Sequence, residues 1–321
     1  MVTPRSCHAS RIPARSHTGQ VKPPNAVVRL PSLPGVYRFR GSSGDVLYVG
    51  RATHLRSRVA SYWSDRLDRS YLTGMAARVQ RIEAVVCDSV HEAAWLELNL
   101  HQAELPPWNR AVGSAESVLY IRLDQRPGAP RLSAEHALVP APGVTYFGPY
   151  LGGSRVRQEV SALNRILPVS YAGARLGGTQ LDLARVRGYT DADRETIIES
   201  VSKILNRDHQ AVTWARAELE ELRARAAQVL SFELAGRIQE ELEALAWVTC
   251  PQRAATVSGG DFTACGWAEG TLVRFGVRAG RLCEWSQRQC DRTAAAADLA
   301  ATPPGWAEFA HRNAELAARL T

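Results

Sequence analysis

Two short alternating stretches, Gly35-Val36-Tyr37-Arg38-Phe39-Arg40 and Val46-Leu47-Tyr48-Val49-Gly50, each carry a tyrosine, and Arg51, Arg58, Tyr62, Glu97 and Asn109 follow them. Phosphodiester hydrolysis needs an activated water, charge to neutralise the phosphoryl oxygens, and help for the leaving oxygen. Arg58 and Tyr62 are four residues apart and share one face of a helix. A guanidinium such as that of Arg58 meets a phosphate as a bidentate fork. Glu97 is the sole acid between Ala93 and Leu100, in a mostly apolar helical stretch, and a lone carboxylate there can hold a hard cation through oxygen. A phenol with a pKa of about 10 is a poor base at neutral pH. Tyr37 and Tyr48 lie on adjacent strands and reach one pocket, where Arg51 and Arg58 are expected to lower that value. Each residue also has a plainer reading. The tyrosines can be sheet-packing aromatics, Arg58 with Tyr62 a surface stacking pair, Glu97 a solvated helix residue, and Asn109 a loop cap. His101, four residues after Glu97, is read as structural rather than as a second ligand.

These residues need elements to place them. The two alternating stretches predict strands over 35–40 and 46–50, joined by a turn over 41–45 into a hairpin. A helix is predicted over 53–63 with Thr53 as N-cap. A strand follows over 82–87, then a helix over 89–105 that starts at Ser89 and stops at Pro106-Pro107. Beyond Gly113-Ser114 come a strand over 118–124 and a Pro/Gly-rich passage to Pro149. Next are a helix over 154–167 and a glycine-rich loop over 172–178. Residues 191–248 are predicted mostly helical, with apolar residues at spacings of threes and fours from Leu219 to Leu245. Residues 256–290 predict two or three strands, and 305–320 a helix.

The chain of 321 residues, 45% hydrophobic and 22% charged, has the composition of two or three globular domains. No apolar run reaches the roughly 18 residues that a membrane span needs. Residues 1–29 are rich in proline, serine and arginine, lack the apolar core of a secretory signal, and read as a disordered basic arm. Six cysteines without any CxxC pair read as reduced thiols. The net charge is +7, yet residues 1–70 hold twelve Lys or Arg against three acids, so the rest sums to −2. That placement points to a polyanion, most simply nucleic acid. Arginine supplies 37 of the 39 basic residues, a bias that a GC-rich genome also produces.

The ordered set Pro34-Gly35-Val36-Tyr37, Leu47-Tyr48-Val49-Gly50-Arg51-Ala52, Leu55-Arg56-Ser57-Arg58, Ser61-Tyr62, Leu96-Glu97-Leu98-Asn99-Leu100 and Trp108-Asn109 resembles the GIY-YIG nuclease domain, in the form that opens the bacterial excision-repair subunit UvrC. The resemblance implies an α+β domain, a small antiparallel sheet flanked by helices, over 30–112. It implies catalytic roles for Tyr37, Tyr48, Arg51, Arg58, Tyr62 and Asn109, with a hairpin tyrosine as general base and Arg58 stabilising the transition state. Arg56 and Arg58 would contact DNA, and Glu97 would hold one Mg²⁺ or Mn²⁺. Arg51 stands where the family has lysine; it keeps the charge but cannot lose its proton and fills more space.

The likeness continues. Ala129-Pro130-Arg131-Leu132 and Tyr146-Phe147-Gly148-Pro149-Tyr150 resemble UvrC segments within a connecting region, 113–210. The family there carries four cysteines holding an iron–sulfur cluster. Residues 169–195 have none, so no cluster is expected. Residues 211–250 resemble the UVR motif, a helical hairpin through which UvrC binds UvrB, and Leu230, Phe232, Glu233, Arg237 and Ile238 match its core. The plainer reading is a hairpin packed within the protein. Residues 251–321 read as a short segment with some β content and leave no room for the family's second nuclease domain, as in short homologues of the Cho type. The resemblance thus implies a cytoplasmic bacterial DNA-repair endonuclease that cuts damaged duplex once, 3′ to the lesion, with a UvrB-type partner and no membrane. The alternatives are a non-catalytic adaptor that binds UvrB and DNA, and a stand-alone GIY-YIG nuclease outside repair.

Overall fold

Three short apolar alternations build the first sheet. The computed structural model describes residues 24–64, 71–109, 117–126, 128, 130–173, 177–186, 188–189, 193–257 and 259–321. Most of the arm expected over 1–29 lies outside them. Its last residues correct the expectation: Ala26–Arg29 forms a helical turn, α1, with Val27 and the following Leu30 buried. β1 (Gly35–Arg40) pairs antiparallel with β2 (Val46–Ala52) and, on its other side, with β3 (Arg81–Val86). The order is β2-β1-β3. The register sets Tyr37 opposite Gly50 and Phe39 opposite Tyr48. A Cβ at position 50 would lie 2.5 Å from the Tyr37 hydroxyl oxygen, so glycine there lets the phenol cross the strand.

The helix expected over 53–63 is shorter and divided. α2 (Leu55–Ala60) is followed by one 3₁₀ turn, Ser61–Trp63. Thr53 is not the cap, because β2 runs on to Ala52 and His54 takes the N-cap position without a side-chain bond. The free donors at this helix start are met by backbone instead, Leu55 N–H by the Leu33 carbonyl and Arg56 N–H by that of Pro31. α3 (Tyr71–Ala76) precedes β3. α4 (Val90–Glu104) starts as its sequence predicts: Ser89 Oγ accepts from the Glu92 N–H at 3.0 Å.

A second sheet follows, β4 (Val118–Asp124), β5 (Arg131–Glu135) and β6 (Val144–Leu151), in the order β5-β4-β6. β5 and β6 lie in the Pro/Gly-rich passage that predicted no strand. Gly148-Pro149 interrupts the alternation, and the β4–β6 register shifts there, between Leu119 and Ile121. α5 (Gly153–Ile166), α6 (Gly178–Val186) and α7 (Asp193–Leu205) come next. α8 (His209–Gln228) and α9 (Phe232–Val248) then fold back as a helical hairpin, with Leu230 at φ 58° in the turn. Arg165 and Ser161 of α5 reach the buried Glu241 of α9, both at 2.7 Å, and fix the hairpin on the second sheet's helix.

The last unit is a meander of β7 (Phe262–Ala268), β8 (Thr271–Arg278) and β9 (Arg281–Gln289), then α10 (Arg292–Ala300) and α11 (Pro304–Leu320). α10, an alanine run, was not expected. Val36, Val49 and Val85 of the first sheet, Trp95 of α4, and Phe275, Trp285 and Phe309 of the last unit share one apolar cluster. Among the described residues no helix is long and apolar enough to cross a membrane, and Cys87, Cys250, Cys265, Cys283 and Cys290 are free thiols.

Candidate active site

The opposite face of β1 meets a cluster of rings. Tyr37 from β1, Tyr48 from β2 and Tyr62 from the 3₁₀ turn converge, and each is buried. The Tyr37 and Tyr62 hydroxyl oxygens are 2.7 Å apart in a hydrogen bond. The Tyr48 ring lies 5.8 Å from that of Tyr62 and 6.2 Å from that of Tyr37, with Phe39 packed among them. The Arg58 guanidinium sits 5.3 Å from the centre of the Tyr62 ring, so the predicted helical neighbours do stack. The expected lowering of the tyrosine pKa is corrected. All three phenols are pushed above their ordinary value, first by desolvation and then by a neighbouring phenol; Arg58 pulls each the other way with less effect. They are neutral hydroxyls at physiological pH.

Arg51 pairs with the carboxylate of α4. Its Nε lies 3.3 Å from Glu97 Oε2, and its backbone N–H donates to Glu97 Oε1 at 3.1 Å. The α4 carboxylate is thereby tied to the end of β2, with its side chain 29% exposed. Among the described residues no three His, Cys, Asp or Glu side chains surround a metal position. Glu97 is the carboxylate that would hold a divalent cation here, with few protein donors beside it among the described residues. That suits Mg²⁺, which keeps several waters when bound through one or two carboxylates.

Asn109 was expected in the catalytic set. Its carboxamide is instead paired at both ends with one residue of β2: Val49 N–H donates to Oδ1 at 2.9 Å, and Nδ2 donates to the Val49 carbonyl at 2.8 Å. It continues the sheet where a fourth strand would lie, and so holds Tyr48 and Gly50 in register. Arg56 is exposed, with Nε on the Leu30 carbonyl at 2.6 Å.

An open cleft of about 490 Å³ lies on the Arg58 side of the cluster, and the described residues that line it include Arg51, His54, Ser57, Arg58 and Ser61, with no acid among those described. Two guanidiniums with hydroxyls between them suit a phosphate chain. His54, Ser57 and Ser61 were not singled out from the sequence as site residues. The signal was there in the spacing, since Ser57 and Ser61 are four apart on the helical segment that presents Arg58. In the helical hairpin, Leu230, Phe232, Glu233 and Arg237 are exposed around the turn, and Val229 joins them. Ile238 is a correction: it is 1% exposed and packs in the second core, so it is not available to a partner.

Residues 33–110 match the family model of the UvrC-like GIY-YIG domain. The chain is 26% identical over 294 residues to the UvrABC system protein C of Psychrobacter sp. (strain PRwf-1), covering 88% of this chain and 45% of that one. It is 30% identical over 264 residues to the UvrABC system protein C of Moorella thermoacetica, covering 78% and 42%. The chain thus spans less than half the length of these curated relatives. A solved relative is the GIY-YIG N-terminal endonuclease domain of UvrC from Thermotoga maritima, bound to magnesium as its catalytic divalent cation. It is 28% identical, covers 26% of this chain and 91% of that chain, and has a TM-score of 0.25.

Proposed function

For a chain whose residues 33–110 are a UvrC-like GIY-YIG domain, we propose a divalent-cation-dependent endonuclease that makes one incision, 3′ to the lesion, in damaged DNA during bacterial nucleotide excision repair. One observation carries this reading: three phenols, the Arg58 guanidinium and the Glu97–Arg51 pair stand together near a cleft whose described lining carries arginines and hydroxyls. Arg58 meets the scissile phosphate and balances the charge that builds on its oxygens. The Tyr37–Tyr62 hydrogen bond lets the neutral phenols act as a relay: a water gives its proton to one phenol oxygen as that phenol hands its own through the other to solvent, so neither is left charged. Tyr48 closes the pocket beside them. Glu97 holds one Mg²⁺ or Mn²⁺, which when bound supplies Lewis-acid stabilisation to the reacting phosphate. Arg56 and the cleft wall draw in the DNA backbone. No iron–sulfur cluster is part of this reading, since residues 169–195 lack thiols. A UvrB-type protein in the bacterial cytoplasm is the proposed partner, engaged through the apolar turn of the α8–α9 hairpin.

The deciding measurement is nicking of a lesion-bearing duplex with and without a UvrB-type protein, in Mg²⁺, in Mn²⁺ and in chelator. Glu97→Gln is expected to abolish cation-dependent nicking and leave DNA binding nearly intact. Wild-type nicking by that variant would remove Glu97 from the site. A second reading, an adaptor that binds DNA and partner without cutting, is favoured by the Arg51 guanidinium lying on the carboxylate that would hold the cation.

A further inference from the structure

We infer that residues 251–321 are a working wall of this active site, holding the strand that carries Tyr37 and the helix that carries Glu97 at their catalytic spacing. The inference rests on the nuclease reading of the site and adds to it three positioning residues, Arg38, Asn99 and Asn313. The matched domain, 33–110, contains the first two. Trp285, Ala254 and Leu282, which meet these two, and the third residue itself come from the far end of the chain.

The strand that carries Tyr37, its neighbour β3 and the helix that carries Glu97 are each gripped by a buried polar contact from this segment. Arg38, next to Tyr37 on β1, points to the opposite face and is 1% exposed. Its guanidinium lies 3.9 Å from the centre of the Trp285 ring and donates to the Trp285 carbonyl at 2.9 Å; Glu83 and Glu104 balance its charge at 2.7 and 2.6 Å. Asn99 lies two residues past Glu97 on α4, and its Nδ2 donates to the Ala254 carbonyl at 3.0 Å and to that of Leu282 at 3.2 Å. Asn313 of α11 is fully buried; its Oδ1 accepts from Val86 N–H at 2.7 Å, and its Nδ2 donates to the Val86 carbonyl at 3.2 Å. Val86 faces Gly35 in the ladder, two residues before Tyr37. Asn313 thus does at the β3 edge what Asn109 does at the β2 edge. The small catalytic sheet ends in a carboxamide on both sides, and one of the two belongs to the last helix. Leu316 and Leu320 of that helix also enter the apolar cluster that packs Tyr37, Tyr48 and Tyr62.

Apolar packing alone tolerates sliding, whereas satisfied buried polar contacts specify one arrangement. A shift of about 1 Å at reacting groups can cost on the order of a hundredfold in rate. The test uses full-length Asn313→Asp, which removes the donor to the Val86 carbonyl, and Asn99→Ala, which frees α4 without adding a charge and keeps the test decisive if the first variant does not fold. Well below the melting temperature, single-turnover cleavage at saturating lesion-bearing duplex should fall by about tenfold or more, while the dissociation constant moves by less than about twofold. Amide exchange should quicken at Arg51, whose N–H is held by Glu97, in Asn99→Ala, and at Val86 in Asn313→Asp. A lower melting temperature with a wild-type rate constant and unchanged exchange at Arg51 would reduce the segment to plain packing and overturn the inference. An inert wild type would sink the nuclease reading instead. The exchange data would then decide alone, with faster exchange at those amides supporting the wall and unchanged exchange refuting it.

Discussion

Three buried phenols share one pocket, and desolvation is the largest influence on each. A phenol whose pKa is raised in the folded state adds stability that is fully present below the unfolded value, about 10, and is lost as pH climbs through the folded value. Spectrophotometric titration should therefore show four of the nine tyrosines, the three of the pocket and the buried Tyr150, silent through pH 10 to 11 in the folded protein and released on unfolding. The melting temperature should fall with pH across that window. Three extra phenols titrating near 10 in the native protein would show that the pocket is wetter than described. Arg51 separates the two functional readings. If the nuclease is adapted to arginine, Arg51→Lys should cut as fast or slower, because the carboxylate is already fitted to the wider guanidinium. If cleavage has been lost through arginine, wild type should be inert and lysine should restore nicking. Single-turnover assays in Mg²⁺ and Mn²⁺ distinguish these outcomes.

At the scale of elements, the β1–β2 hairpin depends on Gly50. A side chain there meets Tyr37 at 2.5 to 2.7 Å, so Gly50→Ala should cost about 1–3 kcal/mol by overpacking, read as a lower melting temperature. The displaced Tyr37 should also lose its bond to Tyr62, visible as Tyr62 titrating closer to its ordinary value, since that bond raises the Tyr62 pKa. The first sheet, α4 with its serine cap, and the hairpin of α8 and α9 were legible because each rests on local signals: alternation, capping, and apolar residues every three or four positions. β6 was hidden because Gly148-Pro149 breaks the alternation and the ladder absorbs it by a register shift, and β5 because it is only five residues long within a Pro/Gly-rich passage. The site was legible only in part for a related reason. Residue types and order identified Tyr37, Tyr48, Tyr62, Arg58 and Glu97 as neighbours. Nothing local could reveal that Arg51 turns to Glu97 or that Asn109 closes on the Val49 backbone, since each depends on a partner far along the chain, whereas the apolar spacing through Leu234, Ile238 and Leu242 already marked Ile238 as a seam residue. The tyrosine pKa went astray because nearby arginines are visible in a sequence and burial is not.

Across the whole molecule, the cleft and the hairpin turn make different demands on what they touch. The cleft is lined by cations and hydroxyls and suits a nucleic-acid backbone. The turn of the hairpin is apolar and open: Val229, Leu230 and Phe232 are 75%, 72% and 68% exposed, next to Glu233 and Arg237. Apolar side chains this exposed and this close together mark a surface for another protein rather than for DNA. They lie on the turn, outside the seam that packs α8 on α9, so removing them costs the fold little. Leu230→Ala with Phe232→Ala should change the stability of the chain by less than about 1 kcal/mol, since exposed substitutions rarely cost more. The same pair should weaken association with a UvrB-type protein by more than about tenfold, because aromatic anchors carry much of an interface's energy. Cleavage of a substrate that needs no loading should be unchanged, which keeps the effect apart from the nuclease pocket. Ile238→Ala supplies the contrast: it should lower the melting temperature by creating a cavity, and affect the partner only through that loss. Undiminished binding of the partner by the Leu230 and Phe232 double variant, measured by titration calorimetry, would return the hairpin to a purely internal role.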